Sequence, residues 1–196
     1  MNLVMAITKG DTPMGAKSGI GKPQWLEAGL DILDTEGIAG VRVDLLAKRF
    51  GVAKSGFYRH FKNRKELFTE MLDYWSSAVT ELFETNSEDC ALPPIDRLTR
   101  IAESIVSSDL ARYEATITQW ALQDRTVARA THEVNRLRLD VVRAAFEELG
   151  FSGDDLEIRA LMFTCYVTWE GSMYRDLPRK RRLGSIARQI RILTSK

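Results

Sequence analysis

The sequence predicts an all-α protein of about nine helices. Apolar residues recur every three or four positions through most of the chain, which is the spacing that one buried face of an α-helix requires. No segment alternates apolar and polar residues in the way that a half-buried strand does. Proline and glycine separate the periodic segments, at Pro23, Gly37, Gly51, Pro93-Pro94 and Gly150.

Three short helices and one long helix are predicted in the first half. The first begins at Pro23 and ends at Gly37, and the next two span residues 43–50 and 54–60. Asn63 begins the fourth, with Glu66 three residues later as in a capping box. Its apolar spacing continues for about 20 residues, or roughly 30 Å, which predicts a long strut.

The composition is that of a soluble globular protein. Of 196 residues, 44% are hydrophobic and 28% are charged, which is enough to form a substantial core. No apolar run is long enough for a membrane span, and the first residues lack a secretory signal, so we expect no membrane partner. Cys90 and Cys165 form no CxxC pair and fit reduced thiols in a cytoplasmic protein.

Charge is concentrated in one short segment. Residues 42–65 contain eight cationic residues and one anionic residue, Asp44, whereas the whole chain has a formal net charge of only +1. A charge run is usually a solvated face, but this one coincides with a turn-helix pattern at residues 51–61. A basic lobe on a nearly neutral protein indicates a nucleic-acid backbone as partner.

The second half is predicted to contain five further helices. Their expected ranges are 95–106, 110–123, 126–149, 154–173 and 185–193, with the basic run 179–182 as a solvated link. We divide the chain into a flexible arm at 1–22, a helix-turn-helix domain at 23–68 and a second helical domain at 69–196.

The N-terminal segment resembles the TetR (tetracycline-repressor) family of bacterial transcription regulators. The likeness covers about 55 residues, including the helix at 25–37 and the helix and turn at 45–52. Its most specific part is Tyr58-Arg59-His60-Phe61, with a cation three residues later at Arg64. The resemblance implies a homodimer that binds a palindromic operator and acts as a repressor. It also implies that residues 69–196 are an effector-binding and dimerisation domain that responds to a small hydrophobic or amphipathic effector.

The resemblance also assigns roles to individual residues. The third helix would present its polar side chains to the major groove, with Arg59 reading guanine and Tyr58, His60 and Arg64 reaching phosphates. Phe57 and Phe61 fit packing better than base stacking. The candidate DNA-binding set is Arg42, Val43, Lys54, Ser55, Gly56, Phe57, Tyr58, Arg59, His60, Lys62 and Arg64.

Three positions depart from the family pattern. Arg42 and Ala53 stand where Ser or Thr commonly caps the second and third helices, and Gly56 stands where Thr often contacts a phosphate. Gly56 weakens a helix by about 1 kcal/mol relative to Ala, and it lets the backbone approach DNA closely. These departures keep open an alternative, a helical ligand-binding or adaptor protein without specific operator recognition.

Aromatic and polar residues of the second half form the candidate effector pocket. Ordinary core packing explains any one of the aromatic residues, but as a group they fit a mostly apolar ligand cavity. The candidate lining residues are Tyr113, Thr116, Gln119, Trp120, His132, Phe163, Tyr166 and Trp169. The wide apolar arc of 154–173, together with the last helix, predicts the dimer surface.

Catalytic and metal chemistry have little support in the sequence. His60 and His132 are the only histidines, and no Ser-His-Asp order, Cys-His pair or paired-carboxylate motif stands out. We therefore expect no cofactor, no metal and no enzymatic activity. The alternative hypothesis among enzymes is an all-helical enzyme whose active site is the cavity of the second half.

Overall fold

A computed structural model describes residues 20–87, 92–108, 110–173 and 176–195. Within these ranges the chain forms nine α-helices and one 3-10 turn, and no strand. Residues 1–19, which make up most of the predicted arm, lie outside the described residues. No helix in the described part of the chain is long and apolar enough to cross a membrane.

The helices follow one another with short connections. In chain order they are α1 (Lys22–Gly40), α2 (Val43–Arg49), α3 (Ser55–Tyr58), α4 (Arg64–Ser87), α5 (Pro94–Ser108), the 3-10 turn (Leu110–Tyr113), α6 (Glu114–Ala121), α7 (Arg125–Glu148), α8 (Gly153–Met173) and α9 (Arg179–Thr194). The order and the all-helical class agree with the sequence prediction.

Gly37 interrupts α1 near its end. Its φ of 70° lies in the left-handed region, so the regular helix stops there and one further turn runs on to Gly40. Val41 then caps the turn through an N–H that donates to the carbonyl of Ile38. The predicted stop at Gly37 is therefore found as a break, three residues before the assigned end of the helix.

The beginning of α4 is capped by its own sequence. The Asn63 side-chain oxygen accepts a hydrogen bond of 3.0 Å from the backbone N–H of Glu66. The Glu66 carboxylate accepts in return from the backbone N–H of Lys62 rather than from that of Asn63. The predicted capping box is thus present in a form shifted by one residue, and it fixes α4 relative to the preceding turn.

Aromatic rings form the core beneath the first three helices. The Trp25 ring of α1 packs edge-on against Phe50 and Phe57, with centroid separations of 4.9 Å and 5.8 Å. Phe61 adds a further ring at 5.0 Å from Phe57. These distances fall in the favourable range for aromatic pairs, so α3 is held by packing although it has only four residues.

Three boundaries in the chain differ from prediction. The third helix is shorter than 54–60, because residues 59 and 60 continue as a turn. The predicted helix 110–123 is divided into the 3-10 turn and α6. The run 179–182, predicted as a solvated link, forms the first turn of α9, where Arg182 is buried and pairs with Glu170 of α8.

Candidate nucleic-acid interface

A tight turn connects α2 to α3. Gly51 adopts a φ of 65°, and the backbone N–H of Val52 donates to the carbonyl of Ala47 at 3.0 Å. This left-handed turn reverses the chain within a few residues because glycine has no Cβ to oppose it. The result is two short helices in succession, with the second placed on the surface by the aromatic core below it.

The outer side of α3 is open to solvent, and a cationic residue flanks the helix at each end. Lys54, Ser55 and Arg59 are exposed, and Tyr58 is 57% exposed. Among the described residues, neither Lys54 nor Arg59 makes a side-chain hydrogen bond or ion pair. A groove of about 510 Å³ runs beside this face, between α3 and the start of α1, and is lined in part by Arg59, Gly56 and Trp25.

Phe57 belongs to the core and is a correction to the predicted DNA-binding set. Its side chain is 0% exposed and contacts the rings of Trp25, Tyr58 and Phe61. A residue in this position cannot reach a groove of DNA, but it fixes the orientation of α3. The preference for packing that the sequence indicated is therefore correct.

Of the other residues predicted to bind DNA, two already contact another part of the protein. Arg42 pairs with Asp44 at 2.8 Å, and the His60 ring nitrogen Nε2 lies 2.9 Å from the carbonyl oxygen of Ile20. Lys62 is exposed, and Val43 is half-buried at the first residue of α2.

Arg64 is engaged with the end of α1. Its Nε donates to the carbonyl of Val41 at 2.6 Å, its Nη2 donates to that of Ile38, and its guanidinium lies 4.5 Å from the centroid of the Phe68 ring. These contacts tie α4 to the turn that follows Gly37. In this structure the side chain thus stabilises the junction of α1 and α4.

Gly56 is not required by the packing of α3. A Cβ added there would lie 3.5 Å from Cγ2 of Val52 and 3.7 Å from Cζ2 of Trp25, which are ordinary van der Waals distances. The backbone tolerates alanine, so the protein's own interior gives no reason for glycine. A surface position that stays without a side chain allows another molecule to approach the helix backbone.

Asp31 joins the first helices to the second half of the chain. Its carboxylate accepts from Arg49 of α2 and from the Tyr113 hydroxyl, both at 2.8 Å, and also from Arg112. The Thr116 hydroxyl adds a hydrogen bond of 3.0 Å to Asp34. We call these contacts the interdomain seam. Sequence analysis did not find them because the partners across the seam are about 80 positions apart.

Burial changes the acid-base behaviour of groups around the seam. It raises the pKa of the Tyr113 hydroxyl well above its usual value, against the opposing effect of Arg112. Burial also raises the pKa of Glu27, although a 2.8 Å hydrogen bond from Tyr74 partly offsets that change. Burial and the hydrogen bond to Glu27 likewise raise the pKa of the Tyr74 hydroxyl. Both tyrosines are therefore protonated in the neutral range and can donate to their carboxylate partners.

The structure does not bring the eight candidate effector-binding residues together. Thr116, Gln119 and Trp120 line a pocket of about 280 Å³ between α6 and the end of α1. Tyr113 is buried at the interdomain seam, and His132 is exposed on α7. Phe163 is buried, whereas Tyr166 and Trp169 lie on the exposed side of α8.

Two buried ion pairs in the second half were missed by sequence analysis. Arg138 of α7 contacts Glu114 of α6, and Arg182 of α9 donates to Glu170 of α8 at 2.6 Å. All four side chains are at most 10% exposed. Charged residues on helices usually face solvent, so only the three-dimensional structure identifies these pairs.

An apolar stripe covers the outward side of α8. Ile158, Leu161, Met162, Tyr166, Trp169 and Met173 are all exposed at helical spacing. The opposite side of the same helix packs into the core through Leu156, Ala160, Phe163 and Val167. A helix that is apolar on both sides buries one side within the subunit and leaves the other available for a partner.

No group of three His, Cys, Asp or Glu side chains in the described part of the chain is arranged to hold a metal ion. The functional features that the structure does provide are the exposed cationic helix, the interdomain seam and the apolar stripe.

The turn between α2 and α3, with an exposed cationic second helix, defines a helix-turn-helix DNA-binding domain. Residues 26–71 match the family described as bacterial regulatory proteins, tetR family. The segment that contains this turn is therefore a DNA-binding domain of the TetR type.

One curated relative has a similar sequence. The chain is 30% identical over 95 residues to the transcriptional regulator AcuR of Cereibacter sphaeroides. The aligned residues make up 46% of this chain and 43% of AcuR, so the chain matches less than half the length of that relative.

Solved structures of TetR regulators share the whole fold. PfmR from Thermus thermophilus, a TetR family transcriptional regulator, has a TM-score of 0.69 at 17% identity, covering 90% of this chain and 97% of that one. A TetR-like transcriptional regulator from Rhodococcus sp. RHA1 has a TM-score of 0.66 at 14% identity, covering 93% of this chain and 100% of that one. At these identities the likeness establishes the fold alone.

Proposed function

We propose that this protein is a ligand-responsive transcriptional repressor that binds a palindromic operator as a homodimer in the cytoplasm. Residues 23–68 form the DNA-binding domain, and residues 69–196 bind the effector and the second subunit. The observation that carries the proposal is the exposed face of α3, where the flanking residues Lys54 and Arg59 make no side-chain hydrogen bond or ion pair in the described part of the chain. Two cations left unpaired on a surface helix are available to phosphates and base edges.

The apolar stripe of α8 supports the homodimer. Two copies of this face, together with α9, would form a four-helix interface of the kind that buries such a stripe. A twofold arrangement presents the two α3 helices to successive major grooves, with half-sites about one helical turn, or roughly 34–36 Å, apart. The operator is then a palindrome with that spacing between half-sites.

The interdomain seam supports regulation by an effector. Asp31 binds donors from α2 and from the 3-10 turn, so a displacement of the second half is passed directly to the helix-turn-helix domain. A ligand that favours one arrangement shifts the population towards it, typically by about 1–3 kcal/mol. The expected effect of the effector is to favour a state in which the two α3 helices have the wrong separation.

The proposal is tested by titrating the purified protein with labelled duplexes from the region upstream of its gene, at several salt concentrations. Specific binding that weakens steeply as salt increases is expected, because cationic side chains displace counterions from the phosphates. Binding that is indifferent to sequence would instead indicate the adaptor alternative. That alternative has one observation in its favour: neither Arg42 nor Lys54 makes a side-chain cap bond at the start of its helix.

Arg59→Ala provides the residue-level test. We expect it to weaken operator binding by about 1–3 kcal/mol and to relax preference at one base position, since its guanidinium is the best candidate to read guanine. The matched control is Arg136→Ala, which removes the same charge from the exposed side of α7. If both variants bound all duplexes like the unmodified protein, Arg59 would not read bases.

A further inference from the structure

The core of the second half contains an ion pair with one unsatisfied hydrogen-bond donor. Arg138 is 3% exposed and Glu114 is 5% exposed. The Arg138 Nη1 donates to Oε2 of Glu114 at 3.0 Å and to Oδ1 of Asn135 at 3.1 Å, and Nη2 donates to the other Glu114 oxygen. The Nε–H of Arg138 is buried and has no hydrogen-bond partner.

Arg138 also lines a small void whose walls are mostly apolar. The other lining residues include Val79, Leu82 and Phe83 of α4, together with Ile105 of α5 and Leu110 of the 3-10 turn. The guanidinium lies near two aromatic rings, 5.9 Å from the Trp75 centroid and 5.7 Å from that of Phe83. Glu114 and Thr168 are the other polar residues of the lining. The unpaired donor thus belongs to a mostly apolar site, where leaving it unpaired is unfavourable.

We propose that this void is the closed form of a binding site for a small uncharged molecule with one acceptor oxygen on an apolar body, such as a ketone or an ester. The inference rests on the proposed function and specifies the chemistry of its effector. The acceptor oxygen takes the hydrogen bond of the Arg138 Nε–H, and the apolar body occupies the space between α4, α5 and the 3-10 turn.

Charge balance selects an uncharged ligand over a carboxylate. Glu114 already neutralises Arg138 within the core, so a carboxylate ligand would bring an uncompensated negative charge into a buried site. A carbonyl oxygen satisfies the Nε–H without adding charge. A pure hydrocarbon fits the walls but leaves the donor unpaired.

The void is so small that binding of a ligand requires the surrounding helices to move apart. Its volume of about 10 Å³ is close to that of a single water site, so a larger ligand enters only when the surrounding helices separate. The closed arrangement therefore has no affinity for the ligand, and binding favours the expanded one. Three of the wall residues belong to α4, the helix that continues from the helix-turn-helix domain.

Three probes with the same ring test the ligand class: acetophenone, benzoate and toluene. Their binding to the full chain, without DNA, is followed by amide chemical shifts in NMR titrations up to the solubility of each compound. Acetophenone is expected to bind about tenfold more tightly than toluene, because only its oxygen satisfies the Arg138 donor. Benzoate is expected to bind at least tenfold more weakly than acetophenone.

Two variants assign that preference to Arg138. In the paired variant Arg138→Met with Glu114→Leu, the preference for acetophenone over toluene is expected to fall to about threefold or less, while toluene binding persists. Arg138→Lys keeps a cation opposite Glu114 but has no Nε–H, and it is expected to lose the same preference. It serves as the second test if the paired variant does not fold, which thermal unfolding would reveal.

Three outcomes overturn the inference: benzoate binding as tightly as acetophenone, an unchanged acetophenone-to-toluene ratio in a folded variant, or no acetophenone binding up to its solubility limit. Operator binding without probes is measured separately on the same preparation. Loss of sequence-specific DNA binding contradicts the proposed function, whereas failure of the probes with intact DNA binding contradicts only the ligand assignment.

Discussion

The two halves of the molecule place their charges in opposite ways. The helices α1–α3 and the start of α4 enclose a core of apolar and aromatic side chains, with no charged residue among the buried ones described. The second half buries Arg97, Glu114, Arg138, Glu170 and Arg182. The first arrangement leaves cations free at the surface for a partner. The second uses cations internally, so its packing depends on ion pairs.

This difference has an energetic consequence. An apolar core keeps its stability whatever approaches the surface, so α3 is presented in a fixed orientation. A buried ion pair contributes little net stability but is costly to break. The second half is therefore the part in which a change in polar contacts can most readily alter the packing of helices.

The largest effect is expected for Glu170→Leu. This change leaves Arg182 buried without its partner, and we expect the free energy of unfolding to fall by about 3–5 kcal/mol. Urea denaturation at one fixed protein concentration measures it. The control is the pair Glu170→Leu with Arg182→Leu, which should recover most of the loss. A single variant as stable as the unmodified protein would show that this half does not depend on its buried pairs.

A smaller effect is expected for Tyr113→Phe at the interdomain seam. Removal of the hydroxyl takes one hydrogen bond from Asp31, and we expect a loss of about 1 kcal/mol in the free energy of unfolding. Tyr166→Phe is the matched control, because the Tyr166 side chain is exposed and the same change there should stay within about 0.5 kcal/mol. Equal effects of the two changes would contradict a seam held by Asp31.

Several of these features follow from local sequence, and others do not. The helix order was predictable because Pro23, Asn63, Pro93 and Gly150 punctuate the apolar periodicity. The start of α9 could not be predicted in this way. A run of cations at a helix N-terminus is unfavourable because it opposes the helix dipole, so the run 179–182 was predicted to be a solvated link. In the structure, Arg179 donates to the carbonyl of Ser107, a contact 72 positions away.

The parts of the candidate site that are close in sequence were predicted, whereas contacts between distant segments were not. The exposed cations that flank α3 lie within eleven consecutive residues, 51–61, so their grouping is visible in the sequence. The Asp31–Tyr113 hydrogen bond and the Arg138–Glu114 pair join distant segments, and no local pattern marks them. The aromatic residues of the second half were identified as apolar, but periodicity cannot separate Phe163, which faces inward, from Trp169, which faces outward.

Gly56→Ala tests whether the backbone of α3 in the first half of the chain is kept bare for DNA rather than for stability. Alanine meets no steric conflict at this position, and we expect a gain of about 0.5–1 kcal/mol in the free energy of unfolding. If the bare backbone of α3 approaches DNA closely, the same variant should bind the operator more weakly despite its greater stability. Parallel denaturation and operator titrations separate the two effects. Lower stability would contradict the tolerance inferred from the distances.

The smallest effect is expected for Glu27→Gln as a function of pH. The raised pKa of Glu27 means that the folded state holds this proton more firmly than the unfolded state. Its contribution to stability is therefore present at low pH and is lost as the pH rises from the unfolded value of 4.5 through the folded pKa. The stability of the variant relative to the unmodified protein should increase with pH over that window. A difference that does not change with pH would contradict the effect of burial on Glu27.

The outward apolar stripe on α8 has a consequence for how the protein responds to its own abundance. Under the proposed homodimer, pairing of subunits follows the square of the free subunit concentration when most subunits are single. A twofold rise in synthesis then gives about a fourfold rise in paired molecules, by mass action. The apolar stripe of α8 would thereby set the subunit concentration below which the protein is mostly monomeric. Below that concentration each monomer presents a single α3 helix, and the palindromic operator is not occupied.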